Sequence, residues 1–282
     1  IKIKKKFKNK NIKILNNFDN LKNLKKSDIT MSAIPGIAGL KPTLVFTKLS
    51  KKILIANKEA VICGWNLIKK NAKKNKTKII PVDSEHFSIF QILQNHKNEE
   101  IKKVYLTASG GPFLNYSLKD FKYIKPKDAL KHPKWNMGKK ISIDSSTLMN
   151  KMLELVEAQK LFNISDTKID IIIHPDSLVH AIVELKNGLT KFIYHETSMI
   201  IPIANSIFEK NLDIADLFVK KTQPNHLAIK NLVFQEVNKK TFPIYNLKKR
   251  FNEHPSTPII INAANEILID RFLQKKIPFL SI

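Results

Sequence analysis

Apolar and polar positions along this chain change period several times, and each change marks an element. Ile53-Leu-Ile-Ala56 is a short unbroken apolar run that predicts a buried strand, and Lys78–Val82 predicts another. Between them Val61–Asn71 carries apolar residues at helical spacing. Upstream, Met31–Gly36 reads as strand then turn. Gly39–Phe46 reads as a helix with Pro42 in its first turn, where a missing N–H costs nothing. This strand–helix–strand alternation predicts a parallel α/β sheet, which binds ligands at the loops beyond its strand ends.

From Asp83 the pattern changes. Ser88–Gln94 and Asn150–Phe162 predict helices, while Val104–Thr107, Ile169–Ile173 and Ala181–Leu185 predict strands. Asn187-Gly188 predicts a hairpin turn, with Lys191–Tyr194 as the returning strand. Ser109–Phe113 is a glycine-rich turn, and His132–Gly138 has no period and reads as a loop. After Lys240 the pattern turns helical, ending in Pro258–Leu273. There is no internal repeat.

Composition narrows the class. With 282 residues and 43% hydrophobic positions the chain can bury a real core, expected as two domains and a piece of a third. Its apolar runs are far too short to span a bilayer, and no signal peptide is visible. The single Cys63 cannot form an internal disulfide, which fits a reducing compartment, and it reads as a buried structural thiol. Residue 1 is isoleucine and the first methionine is Met31, so the chain reads as a piece of a longer protein.

A net charge of +25 invites a nucleic-acid reading, but only Arg250 and Arg271 among the 49 basic residues are arginine. Readers of bases and phosphates favour arginine for its bidentate fork. The lysines are spread along the chain, and only the first 26 residues form a basic block. No specific nucleic-acid partner is expected.

Several clusters carry chemistry. Asp83-Ser84-Glu85 follows a strand, and in extended backbone its carboxylates would project to one side, where they repel unless a cation or proton lies between them. Oxygen ligands of this kind suit Mg²⁺ or Mn²⁺. The plainer alternative is an exposed acidic turn, and Glu154 as a third carboxylate improves the metal reading. On the helix after Asn150, Asn150 and Glu154 are i,i+4 neighbours and Lys151 and Glu154 are i,i+3 neighbours, so an amide, a cation and a carboxylate share one face. That pairing points to a phosphorylated substrate beside a divalent ion. Ser109-Gly-Gly-Pro can cradle an oxyanion or be an ordinary turn. Asn57 can cap a helix with Lys58 reaching outward. Trp135, in a loop, is either a core plug or part of a lid. His174 reads as a hydrogen-bonded core or loop histidine, and its spacing from His180 does not support a metal pair. Asn262-Ala-Ala-Asn-Glu266 reads as small-residue helix packing.

Together these motifs resemble the 1-deoxy-D-xylulose 5-phosphate reductoisomerases. The matching runs are Gly39–Leu44, Ala56–Glu59, Pro81–His86, Thr107–Phe113, His132–Glu154, Ile173–His180 and Asn262–Glu266, in the expected order. The resemblance implies an α/β fold: a partial Rossmann-like NADPH domain over 1–82, an α+β catalytic domain with a flap over 83–240, and a truncated helical domain over 241–282. It implies NADPH- and metal-dependent rearrangement and reduction of 1-deoxy-D-xylulose 5-phosphate to 2-C-methyl-D-erythritol 4-phosphate, in non-mevalonate isoprenoid biosynthesis. Asp83, Glu85 and Glu154 would ligate Mn²⁺ or Mg²⁺. Ser109, Ser145, Asn150 and Lys151 would hold the phosphate. Lys58, Ser84, Glu85 and His132 would contact the sugar, with Trp135 on the flap. Asn57, Glu59 and Gly138 would touch NADPH, and His180 would lie nearby. A homodimer in the bacterial cytoplasm or a plastid-type organelle is the implied setting.

Two departures from the family pattern matter. No glycine here rebuilds the G-x-T-G-x-x-G pyrophosphate loop, so this piece alone is expected to bind NADPH poorly and turn over little. His195–Ile200 also diverges from the family's usual run, where arginine follows the methionine. The competing readings are a related oxidoreductase acting on another substrate, and a basic nucleic-acid-binding protein.

Overall fold

The computed structural model describes residues 25–135, 137–208, 212–214 and 232–282, with residues 12 and 14. Most of the basic N-terminal block, and Asn136 of the His132–Gly138 loop, lie outside the described residues. Two sheets organise the rest. Strands β1 (Ser27–Ser32), β2 (Ser50–Ile55) and β3 (Lys78–Pro81) form a parallel sheet in that order. Helices α1 (Leu40–Lys48) and α2 (Lys58–Asn75) make the connections, as the alternation predicts.

Helix α2 begins at Lys58, three residues before its apolar spacing does. Asn57 caps it by accepting from the Ala60 N–H at 2.7 Å, and Lys76 ends it in a left-handed conformation. Its buried residues Ala60, Val61 and Ile68 recur at helical spacing and pack on Ile53 and Ile55 of β2. Leu54 and Ile80, on the opposite face of this sheet, meet Ile203 and Ile207 of a later helix, α7 (Ile200–Phe208).

The second sheet has the order β7-β6-β4-β5-β8. Strand β4 (Ile101–Ala108) pairs parallel with β5 (Ile169–Ile173) and antiparallel with β6 (Val179–Leu185). Strand β6 turns back into β7 (Thr190–Tyr194) through the predicted Asn187-Gly188 turn, where Gly188 has φ +89°. A two-residue β8 (Gln235–Glu236) closes the other edge.

Helices α3 (Ser84–Leu93) and α6 (Met149–Phe162) bury Ile89, Ile92, Met152 and Leu155 with the inward residues Val104, Leu106 and Ala181 of this sheet. Helix α6 is buried nearly all round as far as Ala158, although Lys151, Glu154 and Glu157 interrupt its apolar positions. A buried polar side has to find charged partners, and in α6 that side faces the site.

Two short helices, α4 (Pro126–Ala129) and α5 (Lys139–Ser146), precede α6. A smaller core of Phe113, Phe121, Ile143, Phe272 and Phe279 joins this segment to the C-terminal helix α8 (Thr257–Leu273). Pro243–Arg250, read from sequence as helical, is a 3₁₀ helix. Cys63 is only half-buried, against the expectation of a buried thiol, because it sits at the margin of the main core.

Candidate active site

Three helix beginnings and one strand end meet around a cavity of about 250 Å³. Helix α2 brings Lys58, α3 brings Asp83, Ser84 and Glu85, and α6 brings Asn150, Lys151 and Glu154. The turn after β4 adds Ser109, and α5 adds Ser145. His132 and Trp135 come from the loop and His180 from β6.

One carboxylate oxygen from each of Asp83, Glu85 and Glu154 lies within 4.8 Å of the other two. The convergence does not come from extended backbone, as the sequence suggested. Asp83 is the N-cap of α3, accepting from the Glu85 N–H at 3.3 Å, and Glu85 lies in the first helical turn. Carboxylates suit that position because the unpaired N–H groups there carry partial positive charge.

Two ammonium groups hold the three acids together. Lys58 donates to Glu154 Oε1 and to Asn150 Oδ1, both at 2.7 Å, and lies 3.4 Å from Asp83 Oδ2. Its side chain is 11% exposed, so it points inward, correcting the outward orientation read from sequence. Lys151 pairs with Glu154 Oε2 at 2.5 Å and makes a close contact with Glu85. Asn150 also donates to Glu154 Oε1 at 2.5 Å, so the expected face of α6 is assembled, with the acids taking up its donors.

The charges are not balanced. Burial would raise Asp83, but the Lys58 ammonium and His86 hold it well below the usual carboxylate range. Glu85 goes the other way, pushed up to about 8 by burial and the neighbouring Glu154 charge. Burial opposes the charged form of both lysines, yet the surrounding carboxylates raise Lys58 far above its usual value and raise Lys151 too. A buried carboxyl that still holds a proton near neutral pH marks a site short of positive charge. Three hard oxygen donors with that deficit fit Mg²⁺ or Mn²⁺.

Beneath the acids lies a pair that sequence reading missed. The fully buried His86 presents Nε2 to the Glu154 carbonyl at 2.9 Å, and Nδ1 to Asp83 at 3.3 Å and Glu157 at 3.5 Å. Burial would lower His86, but Glu157 and Asp83 raise it to about 9, while burial raises Glu157 to about 7. The available signal was Glu157 itself, an acid in an otherwise apolar run and three residues after Glu154 on the same helix face.

Across the cavity, Ser109 Oγ lies 3.0 Å from His132 Nε2 and accepts from the Gly111 N–H at 3.1 Å. His132 Nδ1 accepts from the Trp135 N–H at 2.9 Å, which ties down the start of the loop. Burial, aided by Lys151, lowers His132 to about 4, so it is neutral at physiological pH. Gly110 and Gly111 have φ +82° and +64°, a conformation that favours glycine.

Three residues linked by sequence to a dinucleotide lie to one side. Asn57, besides capping α2, donates to the carbonyls of Ile34 and Gly36, the latter at 3.0 Å. Glu59 accepts from Lys140 at 2.9 Å, and Lys140 also reaches Asp144 at 2.9 Å. Asn265 of α8 donates to Asp144 at 2.7 Å, so Asn262–Glu266 does more than pack small residues. Gly138 is the N-cap of α5, and a Cβ there would meet no described residue within 4 Å. His174 is buried, with Nδ1 2.8 Å from the Val233 carbonyl, the hydrogen-bonded histidine expected.

Comparisons with known proteins point to one family. Family models match in three stretches: 1-deoxy-D-xylulose 5-phosphate reductoisomerase over residues 2–64, and C-terminal domains of that enzyme over 79–162 and 195–282. The reductoisomerase of Pelagibacter ubique is 48% identical over 96% of this chain and 70% of its own length. That of Wolbachia from Drosophila simulans is 46% identical over 90% of this chain and 65% of its own. A solved DOX-P reductoisomerase in complex with NADPH, fosmidomycin and magnesium superposes with a TM-score of 0.81 at 37% identity, over 90% of this chain and 64% of that one. The enzyme from Zymomonas mobilis with NADPH gives 0.76 at 35% identity, over 90% of this chain and 65% of its own. The chain thus spans about two thirds of the length of these relatives. Ordered motifs, a shared fold and close sequence identity lead to one conclusion: the chain belongs to the 1-deoxy-D-xylulose 5-phosphate reductoisomerase family.

Proposed function

We propose that the protein carrying this chain rearranges and reduces 1-deoxy-D-xylulose 5-phosphate to 2-C-methyl-D-erythritol 4-phosphate in non-mevalonate isoprenoid biosynthesis. The observation that carries this reading is the meeting of Asp83, Glu85 and Glu154 within 4.8 Å beside the inward-pointing Lys58 and the buried Lys151. Those three acids would hold Mg²⁺ or Mn²⁺, and Asn57, Glu59 and Gly138 would contact NADPH. When bound, the metal supplies Lewis acidity and the nicotinamide supplies hydride.

The chain's own residues bind, orient and exclude water. Lys151, Asn150, Ser109 and Ser145 take the phosphate, a cation, an amide and two hydroxyls for a dianion. Lys58, Ser84, Glu85 and the neutral His132 contact the sugar. Trp135 covers it and keeps water from the reacting carbons. Division into nucleotide-binding (1–82), catalytic (83–240) and C-terminal (241–282) units, a homodimeric assembly, and a cytoplasmic or plastid-type location belong to the same reading.

The test is NADPH oxidation by the full gene product that carries this chain, given 1-deoxy-D-xylulose 5-phosphate with Mn²⁺ or Mg²⁺. Substrate- and metal-dependent oxidation supports the assignment. NADPH oxidation with a different hydroxyketone instead would favour a related oxidoreductase.

A further inference from the structure

Behind the cavity wall two imidazoles lie face to face. The rings of His180 and His195 stack with centroids 3.9 Å apart and 16° between their planes. Both are buried, and neither Nε2 has a hydrogen-bond partner among the described residues. His195 Nδ1 lies 2.7 Å from the Glu196 carbonyl, so it carries the proton and leaves Nε2 as a bare acceptor. Burial pushes both histidines below their ordinary value, so neither ring is charged and nothing opposes the stack. In nearly parallel rings the Nε2 lone pairs lie in separate planes and cannot converge on one ion, which excludes a shared metal.

The stack has a third member. Trp135 meets His180 edge-on, with centroids 6.1 Å apart and 69° between planes. His180 and Trp135 line the cavity, whereas His195 does not. His195 follows strand β7, and its backbone N–H donates to Leu178 at 3.0 Å, so it is anchored to the sheet. Trp135 sits on a loop held by the Ser109–His132 contact, by the Lys134–Asp176 pair at 3.1 Å and by the edge contact with His180, and of these only the last reaches the indole itself.

We propose that His195 is a positioning residue. Through its stack it fixes the His180 ring against the sheet, and that ring is the seat on which Trp135 closes over a sugar phosphate. The substrate class rests on the proposed function; the seating of Trp135 does not. Removing one aromatic stack would shift the ratio of seated to unseated Trp135 by about fivefold.

The experiment uses Trp135 fluorescence in a Trp65→Phe background, which leaves one tryptophan. Acrylamide quenching is compared for the parent, His195→Phe and His195→Leu; both replacements roughly keep volume, but only Phe keeps a ring. Expected is a marked rise in the quenching constant for Leu and a parent-like value for Phe. In the full gene product Leu would also raise KM for the sugar phosphate with little change in kcat. If Leu quenches like the parent, or Phe rises as much as Leu, His195 does not seat the tryptophan. Should His195→Leu lose its native circular dichroism, His180→Leu removes the other ring and must give the same rise. These readings need no turnover, so the inference can fail while the proposed reaction stands, and the reverse.

Discussion

Lys58 donates to Glu154 Oε1 at 2.7 Å across 96 residues of chain, joining the start of α2 to the middle of α6. It is one of two ammonium groups set among the three clustered acids. Replacing Lys58 with Met would leave the buried Glu154 and the partly buried Asp83 with one cation fewer. Removing one partner of a buried pair costs about 3–5 kcal/mol. The Lys58→Met variant is expected to lose stability on that scale in urea denaturation without metal, and to regain part of it in Mn²⁺. Equal loss in both conditions would show that the acids do not share a cation site.

The same acids predict metal affinity. Asp83→Asn, Glu85→Gln and Glu154→Gln each keep size and remove one anionic donor. Changing residues that merely support ligands costs about 10–100-fold in affinity, so each change to a ligand should cost at least about 100-fold. Titration calorimetry with Mn²⁺ on the folded variants measures it. Retention of parent affinity by any one of them removes that residue from the set.

Stability should depend on pH, with a definite sign. Glu85 is raised from 4.5 to about 8 and His86 from 6.5 to about 9. Above pH 4.5 for Glu85, and above 6.5 for His86, the folded protein holds a proton that the unfolded chain has released. Stability therefore falls as pH rises. The contribution is complete below each ordinary value and is lost as pH climbs through about 8 and about 9 respectively. Thermal melts of the metal-free protein should show Tm declining over this range. Saturating Mg²⁺ should flatten the Glu85 part, because the ion replaces its proton; a metal-free Tm that climbs with pH would contradict the assigned protonation.

The strands were legible in sequence because Ile53–Ala56 is a short unbroken apolar run and Ile169–Ile173 is broken only by Asp170, lengths that suit a strand better than a helix. The beginnings of α2 and α3 were not. Asn57-Lys58-Glu59 and Asp83-Ser84-Glu85 are polar first turns, with no apolar period to extend the helix back to its cap. The site occupies those polar turns, so the residues that bind ligands are also the ones that hide the helix boundary. Lys151 and Glu154 could be paired from spacing alone, since both lie on one helix. The inward turn of Lys58, the His86–Glu157 pair and the His180–His195 stack each join distant segments, and no local pattern encodes them.

The link from α5 to α8 gives a separate stability prediction. Asp144 is buried and accepts from Lys140 and Asn265. Asn265→Leu removes the amide and leaves that carboxylate oxygen in an apolar contact, a loss worth about 1–3 kcal/mol. Urea denaturation should register it, and Asp144→Asn in the same chain should recover part by removing the stranded charge. No recovery in the double variant would mean that the Asn265 effect arises from packing.

Gly111 separates two costs that a substitution can carry. At φ +64° any side chain is strained, and a Cβ would lie 2.7 Å from the Ser145 carbonyl oxygen and 3.1 Å from the Ser146 Cα. Both obstacles are backbone atoms of α5, so relief requires moving the helix that carries Ser145. Gly188 has φ +89°, yet a Cβ there would meet nothing within 4 Å. Gly188→Ala should therefore cost strain alone, about 1–3 kcal/mol. Gly111→Ala should cost more and should also raise KM for the sugar phosphate in the full gene product, because Ser145 is displaced from the cavity wall. Denaturation and steady-state kinetics on the two variants make the comparison. Matching stability losses with an unchanged KM would mean that α5 yields freely and that the glycine turn does not set the position of Ser145.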